Sequence, residues 1–114
     1  MKENGYNVYF QDFNAYDIKL SDSFKAVSKE NIMPAAKNVI FKGRNIIAKR
    51  KDFKENTPML IISAHYDTTK DNIGAIDNGA AVCALIEASR ILEKAKLNYE
   101  PVFVFFDSEE YRCF

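Results

Sequence analysis

Residues 60–81 read LIISAHYDTTKDNIGAIDNGAA, and the rest of the chain is organised around this stretch. It begins inside an apolar run, residues 59–64, which is typical of a strand covered on both faces. The run ends at His65, the only histidine of the protein, and Asp67 follows two places later. Asp77 then stands where a long helical pattern starts. The stretch therefore predicts a buried strand, a polar connection and the beginning of a helix.

A helix and a second buried strand follow. From Gly79 to about Lys96, apolar residues recur at helical spacing and charged residues take the other side, which predicts an amphipathic helix. Pro101 opens the next strand, and the run VFVFF at residues 102–106 indicates that this strand is buried. Strand, helix and strand in this order predict a βαβ unit whose two strands are parallel.

The N-terminal part has a weaker pattern. Residues 6–13 alternate apolar and polar side chains, which predicts a strand. Residues 21–34 have no clear period and indicate a loop. Residues 38–41 and 45–48 are β-branched runs on either side of Lys42-Gly43-Arg44, which predicts a hairpin.

Composition predicts one globular domain and excludes several partner classes. The chain has 114 residues, 47% of them hydrophobic, which is enough to bury a core. Sixteen basic residues balance sixteen acidic ones, so no net charge favours nucleic acid or an anionic membrane. Neither a signal peptide nor a membrane-spanning run is present, and a cytoplasmic location is the default expectation. Cys83 and Cys113 are expected to be reduced thiols.

Chemistry-bearing residues gather at one predicted edge of the sheet. Ligands of open parallel sheets collect beyond the carboxyl ends of the strands, where His65 and Asp67 follow one strand and Glu109 and Glu110 follow the other. Asp77, at the helix start between them, faces the same crevice. One imidazole nitrogen with several carboxylate oxygens suits Zn²⁺, and cobalt or manganese fit the same donors. The pattern therefore predicts a metal site.

Each residue has an expected role. His65 is a ligand, and Asp67 fixes the orientation of its ring. The carboxylate of Asp77 can give one oxygen to each of two metals. Glu109 and Glu110 are adjacent and cannot share a role, so one binds metal while the other moves a proton of metal-bound water.

Each of these residues also has an ordinary interpretation. Asp77-Asn78-Gly79 is a good helix N-cap and turn signal, and a Glu-Glu pair after a strand is commonly a solvated loop. A single histidine at a strand end is commonly an ordinary polar residue. Their convergence at one end of a single βαβ unit favours a site.

Three blocks carry a family resemblance: SAHYDT at 63–68, GAIDNGA at 74–80 and FFDSEE at 105–110. They resemble the zinc-dependent aminopeptidases of the bacterial leucyl aminopeptidase and aminopeptidase Y type, from about Asn45 to the last residue. The resemblance implies a three-layer α/β/α fold with a mixed, largely parallel central sheet, truncated after the Glu-Glu strand. Residues 1–114 would then be a single incomplete domain, with N-terminal strands and loop in 1–44 and a motif-bearing core in 45–114.

The resemblance also implies roles for single residues. His65 would bind one zinc with Asp67 as its partner, Asp77 would bridge two zinc ions, Glu110 would bind the second zinc, and Glu109 would be the general acid/base. A cis peptide bond is implied between Asp77 and Asn78. The substrate would be a peptide with a free N-terminus, hydrolysed at its first peptide bond.

The family's remaining ligands, an aspartate and a histidine, come after the Glu-Glu pair, whereas this chain ends four residues after Glu110. The resemblance therefore implies the N-terminal portion of an enzyme that holds two Zn²⁺ when complete. The chain alone is expected to bind zinc partially or not at all and to be inactive. An exposed edge at residues 102–106 or the neighbouring strand predicts self-association.

Two alternatives belong to other classes. One is a non-catalytic binding or assembly module on the same fold. The other is a glutaminyl cyclase-like acyltransferase that uses a single zinc.

Overall fold

The computed structural model describes residue 1 and residues 5–16 and 39–110. These residues form four strands and one helix: β1 Tyr6–Tyr16, β2 Val39–Arg50, β3 Met59–His65, α1 Ala80–Leu92 and β4 Glu100–Phe106. A short helical turn, Ala75–Gly79, precedes α1. The predicted loop at 21–34 and the expected thiol of Cys113 lie outside the described residues.

The four strands form one mixed sheet in the order β1-β2-β4-β3. The neighbours β3 and β4 are parallel and α1 connects them, so the predicted βαβ unit is confirmed. β2 pairs antiparallel with both β1 and β4. A mixed, largely parallel sheet was expected. Within the described strands one of the three pairs, β3–β4, is parallel and the two pairs made by β2 are antiparallel.

The predicted hairpin around Gly43 is wrong, since β2 is continuous from Val39 to Arg50. Gly43 lies opposite Phe13 of β1 in the antiparallel register. A Cβ atom at Gly43 would lie 2.3 Å from the ring of Phe13. The glycine therefore makes room for an aromatic ring of the neighbouring strand and does not form a turn.

β3 lies at the edge of the described sheet and exposes one of its faces, which corrects the prediction that it is covered on both faces. Within the described residues it pairs only with β4, and Met59 and Ile61 are 58% and 60% exposed. Its other face packs inward, where Ala64 is 8% exposed. The fully buried strand of the unit is β4, whose residues from Glu100 to Phe105 are all buried.

α1 packs on the sheet and ends four residues earlier than the predicted limit near Lys96. The core between them contains Leu85 of α1 and the fully buried Phe103, and the ring of Tyr6 packs edge-on against Phe103 at 5.6 Å. After Leu92 the chain turns, and Arg50 donates a hydrogen bond to the carbonyl of Ala95 at 3.0 Å. No helix of the described ranges is long and apolar enough to cross a membrane.

Candidate metal centre

The five predicted site residues lie at one end of the sheet. His65 is the last residue of β3, opposite Phe106 at the end of the parallel strand β4. Asp67 follows β3, Glu109 and Glu110 follow β4, and Asp77 lies in the turn before α1. Because β3 and β4 run in the same direction, the segments that follow these two strands begin at the same end of the sheet.

Three of these side chains form a compact cluster around the imidazole. One ligand atom from each of His65, Glu109 and Glu110 lies within 4.8 Å of the other two. His65 Nε2 is 3.9 Å from Glu109 Oε2. Asp77 lies outside this three-residue cluster, but its Oδ1 is 3.0 Å from His65 Nε2. Asp77 and Glu110 therefore both lie close to the imidazole of His65, although the two carboxylates do not belong to one compact cluster.

Asp77 does not cap the helix. α1 begins after Gly79, and no side chain forms a cap hydrogen bond at its N-terminus. Gly74, with a φ of 68°, starts the preceding turn, and the peptide bond between Asp77 and Asn78 is cis, as the resemblance implies. The ordinary N-cap interpretation of Asp77 is therefore wrong, and its carboxylate contacts His65 instead.

Asp67 lies behind the imidazole and also holds the Glu-Glu connection. His65 Nδ1 is 3.2 Å from the backbone carbonyl of Asp67 and 3.4 Å from its carboxylate. The two carboxylate oxygens accept hydrogen bonds from the backbone N–H groups of Glu109, at 3.1 Å, and Glu110, at 3.0 Å. Asp67 therefore holds both the imidazole ring of His65 and the segment that follows β4. The sequence did not reveal the second of these contacts.

The imidazole of His65 is strongly influenced by its acidic neighbours. Burial lowers its pKa, but the hydrogen bonds to Asp77 and to the backbone of Asp67, with the charges of Glu109 and Asp67, outweigh that effect and leave the pKa raised. The carboxylates of Asp67, Asp77 and Glu109 around the imidazole favour its protonated form. A bound metal cation would meet the same electrostatic preference.

The donor set fits zinc. An imidazole nitrogen and carboxylate oxygens are common Zn²⁺ ligands, and at Zn–ligand distances of about 2.0–2.2 Å two ligands of one tetrahedral ion lie roughly 3.3 Å apart. The 3.0 Å separation of His65 Nε2 and Asp77 Oδ1 is close to this value. The hydrogen bond from His65 Nδ1 to Asp67 leaves Nε2 as the nitrogen that faces the other carboxylates.

A second polar network next to the site was not predicted. Asp107 accepts a hydrogen bond on Oδ2 from the Arg44 backbone N–H at 2.9 Å and donates its own N–H to Asn45 Oδ1 at 3.0 Å. The hydroxyl of Tyr66 donates to the carbonyl of Arg44 at 2.7 Å. Burial and the nearby Asp107 carboxylate raise the pKa of Tyr66. Asn45 directly precedes the apolar residues 46–48, and nothing else in the sequence points to this network.

An open cavity of about 590 Å³ adjoins the cluster. His65, Asn78 and Glu109 lie on its polar side, and Phe13 and Phe106 contribute aromatic surface. This is room for an organic ligand directly beside the candidate metal ligands.

Comparison with known proteins identifies related sequences and folds. Residues 45–114 match the sequence model described as Peptidase family M28. The aminopeptidase YwaD of Bacillus subtilis is 32% identical over 68 residues, which are 59% of this chain and 15% of that protein. The region matched by the family model, residues 45–114, contains all five predicted site residues.

Two solved structures show the same fold. BSAP, a zinc aminopeptidase from Bacillus subtilis, superposes with a TM-score of 0.56 at 30% identity, over 60% of this chain and 17% of its own. A glutaminyl cyclase from Porphyromonas gingivalis superposes with a TM-score of 0.66 at 27% identity, over 94% of this chain and 32% of its own. This chain therefore spans less than a third of the length of each of these relatives.

Proposed function

The chain belongs to peptidase family M28, and from this premise we propose that its site is part of the catalytic centre of a dinuclear zinc aminopeptidase. The observation that carries the proposal is the cluster of His65, Glu109 and Glu110 within 4.8 Å, with Asp77 3.0 Å from the same imidazole. The zinc aminopeptidase BSAP and aminopeptidase YwaD support this reaction class. The substrate is a peptide with a free N-terminus.

The residues have distinct roles in this proposal. His65 would hold one Zn²⁺, Glu110 would hold the other, and Asp77 would be a ligand for both. Bound zinc supplies a Lewis acid for the carbonyl and acidifies a water molecule. Glu109 does not bind metal. It accepts the proton of the attacking water and returns it to the amine that leaves.

We expect the 114-residue chain alone to be inactive. Among the described residues, His65 with Asp77 and Glu110 with Asp77 would give each ion two ligands, whereas catalytic zinc sites use three protein ligands. A third ligand for each ion would have to lie outside the described residues. Zinc binding by the isolated chain should therefore be weak.

Activity of a longer form of the protein tests the proposal. It should release nitroaniline from aminoacyl-nitroanilides, and Glu109→Gln should reduce kcat by at least about 100-fold, because general acid–base catalysis contributes on that order. Glu87→Gln, at an exposed position of α1, is the matched control and should keep full activity. Full activity in Glu109→Gln would exclude the proposed role, and no hydrolysis at all would favour a non-catalytic module.

One observation favours a second candidate, a single-zinc glutaminyl cyclase. The Porphyromonas gingivalis cyclase aligns with 94% of this chain, whereas BSAP aligns with 60%. Turnover of peptides with N-terminal glutamine, without hydrolysis of aminoacyl-nitroanilides, would select this alternative. Zinc content of the active protein would separate the two further, with one ion expected for the cyclase and two for the aminopeptidase.

We also propose that the isolated chain self-associates through β3. The strand has an unpaired edge among the described residues, and Met59 and Ile61 are more than half exposed. Size-exclusion chromatography with light scattering should show dimers or larger species as concentration rises, and Ile61→Lys should shift them toward monomer. A monomer at every concentration would contradict this proposal.

A further inference from the structure

The pairing of β2 with β4 stops just before the candidate site, and side-chain hydrogen bonds continue from there. Ile46 and Phe105 are the last paired residues at this end. Beyond them, the Asn45 side chain accepts the backbone N–H of Asp107 at 3.0 Å. The Arg44 backbone N–H donates to the carboxylate of Asp107 at 2.9 Å instead of to a backbone carbonyl. The strand-to-strand pairing is thus replaced by contacts that hold one residue, Asp107.

The chain turns sharply immediately after Asp107. Ser108 has a φ of 71°, in the left-handed region that residues with a side chain rarely adopt, and it is buried. The next two N–H groups, of Glu109 and Glu110, both donate to the carboxylate of Asp67. Hydrogen bonds from β2 therefore hold the start of segment 107–110, and hydrogen bonds to Asp67 hold its end. The turn at Ser108 lies between them.

The orientation of the Asn45 amide is itself fixed. Its Nδ2 donates to Gln11 Oε1 of β1 at 3.0 Å, so that Oδ1 points toward Asp107. A shift of Asp107 along the strand would move Glu109 and Glu110 relative to His65, because only Ser108 separates Asp107 from Glu109. An apolar side chain at position 45 would leave the Asp107 N–H without this acceptor.

We propose that Asn45 is a positioning residue for the Glu109–Glu110 pair, acting through the backbone of Asp107. It sets where β4 ends and hence where the two carboxylates stand relative to His65. That these carboxylates bind metal and transfer a proton rests on the proposed function. The positioning itself is a property of the chain without metal.

Amide hydrogen exchange, measured by NMR on the metal-free 114-residue chain, tests the positioning. In Asn45→Ala the N–H groups of Asp107, Glu109 and Glu110 should exchange about tenfold faster, because a net hydrogen bond has been removed from the start of the connection. Asn45→Asp keeps an oxygen acceptor and should retain slow exchange at Asp107. Asn7→Ala is the matched control, since Asn7 is an exposed residue at the opposite end of the sheet, paired with Lys49.

Zinc titration by calorimetry of the same variants gives the second readout. Asn45→Ala should lower the zinc affinity by about tenfold or more, as is typical when a residue that orients ligands is lost, and Asn7→Ala should not change it. Unchanged exchange at Glu109 and Glu110 in Asn45→Ala, or equally fast exchange in Asn45→Asp and Asn45→Ala, would overturn the positioning role. Faster exchange in Asn45→Ala with no zinc binding by any of the proteins would support the positioning role and would count only against zinc binding by the isolated chain.

Discussion

The two ends of the central sheet arrange charged groups in opposite ways. At the end where β4 begins, Glu100 is 3% exposed, and the guanidinium Nε of Arg50 lies 3.4 Å from its carboxylate. At the other end, His65 is surrounded by carboxylates, and among the described residues no Lys or Arg side chain forms an ion pair with Asp67, Asp77 or Glu109. One end carries its own cation, while the other has an excess of negative charge that a bound metal would balance.

Loss of Arg50 should have the largest effect on stability. Arg50→Met would leave the buried carboxylate of Glu100 without its cation and should lower the free energy of unfolding by about 3 kcal/mol. Urea unfolding followed by circular dichroism measures this. Arg44→Met is the control, because Arg44 pairs with Asp12 on the surface and should matter little to stability. Equal losses of unfolding free energy in the two variants would show that the buried pair contributes no more to stability than the surface pair.

Loss of Asp67 should have the next largest effect and should also reach the site. Asp67→Ala removes the acceptor of two backbone N–H groups and should cost about 2 kcal/mol of unfolding free energy. Zinc affinity should fall by about tenfold or more, because both the imidazole and the Glu-Glu connection lose their support. Asp67→Asn keeps one carbonyl oxygen and should fall between Asp67→Ala and the unmodified chain. Unaltered stability and zinc affinity in Asp67→Ala would contradict the claim that Asp67 supports the imidazole and the Glu-Glu connection.

The smallest effect is expected at Ser108. Its φ of 71° suits glycine better than any residue with a Cβ atom. Ser108→Gly should be more stable than Ser108→Ala by about 1 kcal/mol, since both lose the hydroxyl and only alanine keeps the Cβ. Thermal unfolding of the two variants makes the comparison, and a more stable alanine variant would contradict the left-handed turn.

The sequence predicted the βαβ unit and the common location of the site residues because both depend on local patterns. The apolar runs, the helical spacing and the position of His65 at a strand end are all visible in the chain. The hairpin prediction failed because the glycine at position 43 makes room for the ring of Phe13, thirty positions away. No local sequence rule reveals that contact. The same holds for β3, whose apolar run looks like a central strand but lies at the edge of this sheet.

The candidate site divides in the same way. The residue types at 65, 67, 77, 109 and 110 predicted a metal site, and the N-cap interpretation of Asp77 could be dismissed only after the helix start was placed at Ala80. The hydrogen bonds that hold these residues in place could not be predicted from the sequence. The Asn45 side chain and the Arg44 backbone N–H contact Asp107 across more than sixty positions, and no local sequence pattern predicts such contacts.

Zinc titration of the 114-residue chain tests the central claim most directly. If this end of the sheet is a metal centre, His65→Ala and Glu110→Gln should each lower the zinc affinity by at least about tenfold, while Glu87→Gln, at an exposed position of α1, should leave it unchanged. Zinc heats that are the same in all four proteins, unmodified chain included, would contradict the claim that this end of the sheet is a metal centre.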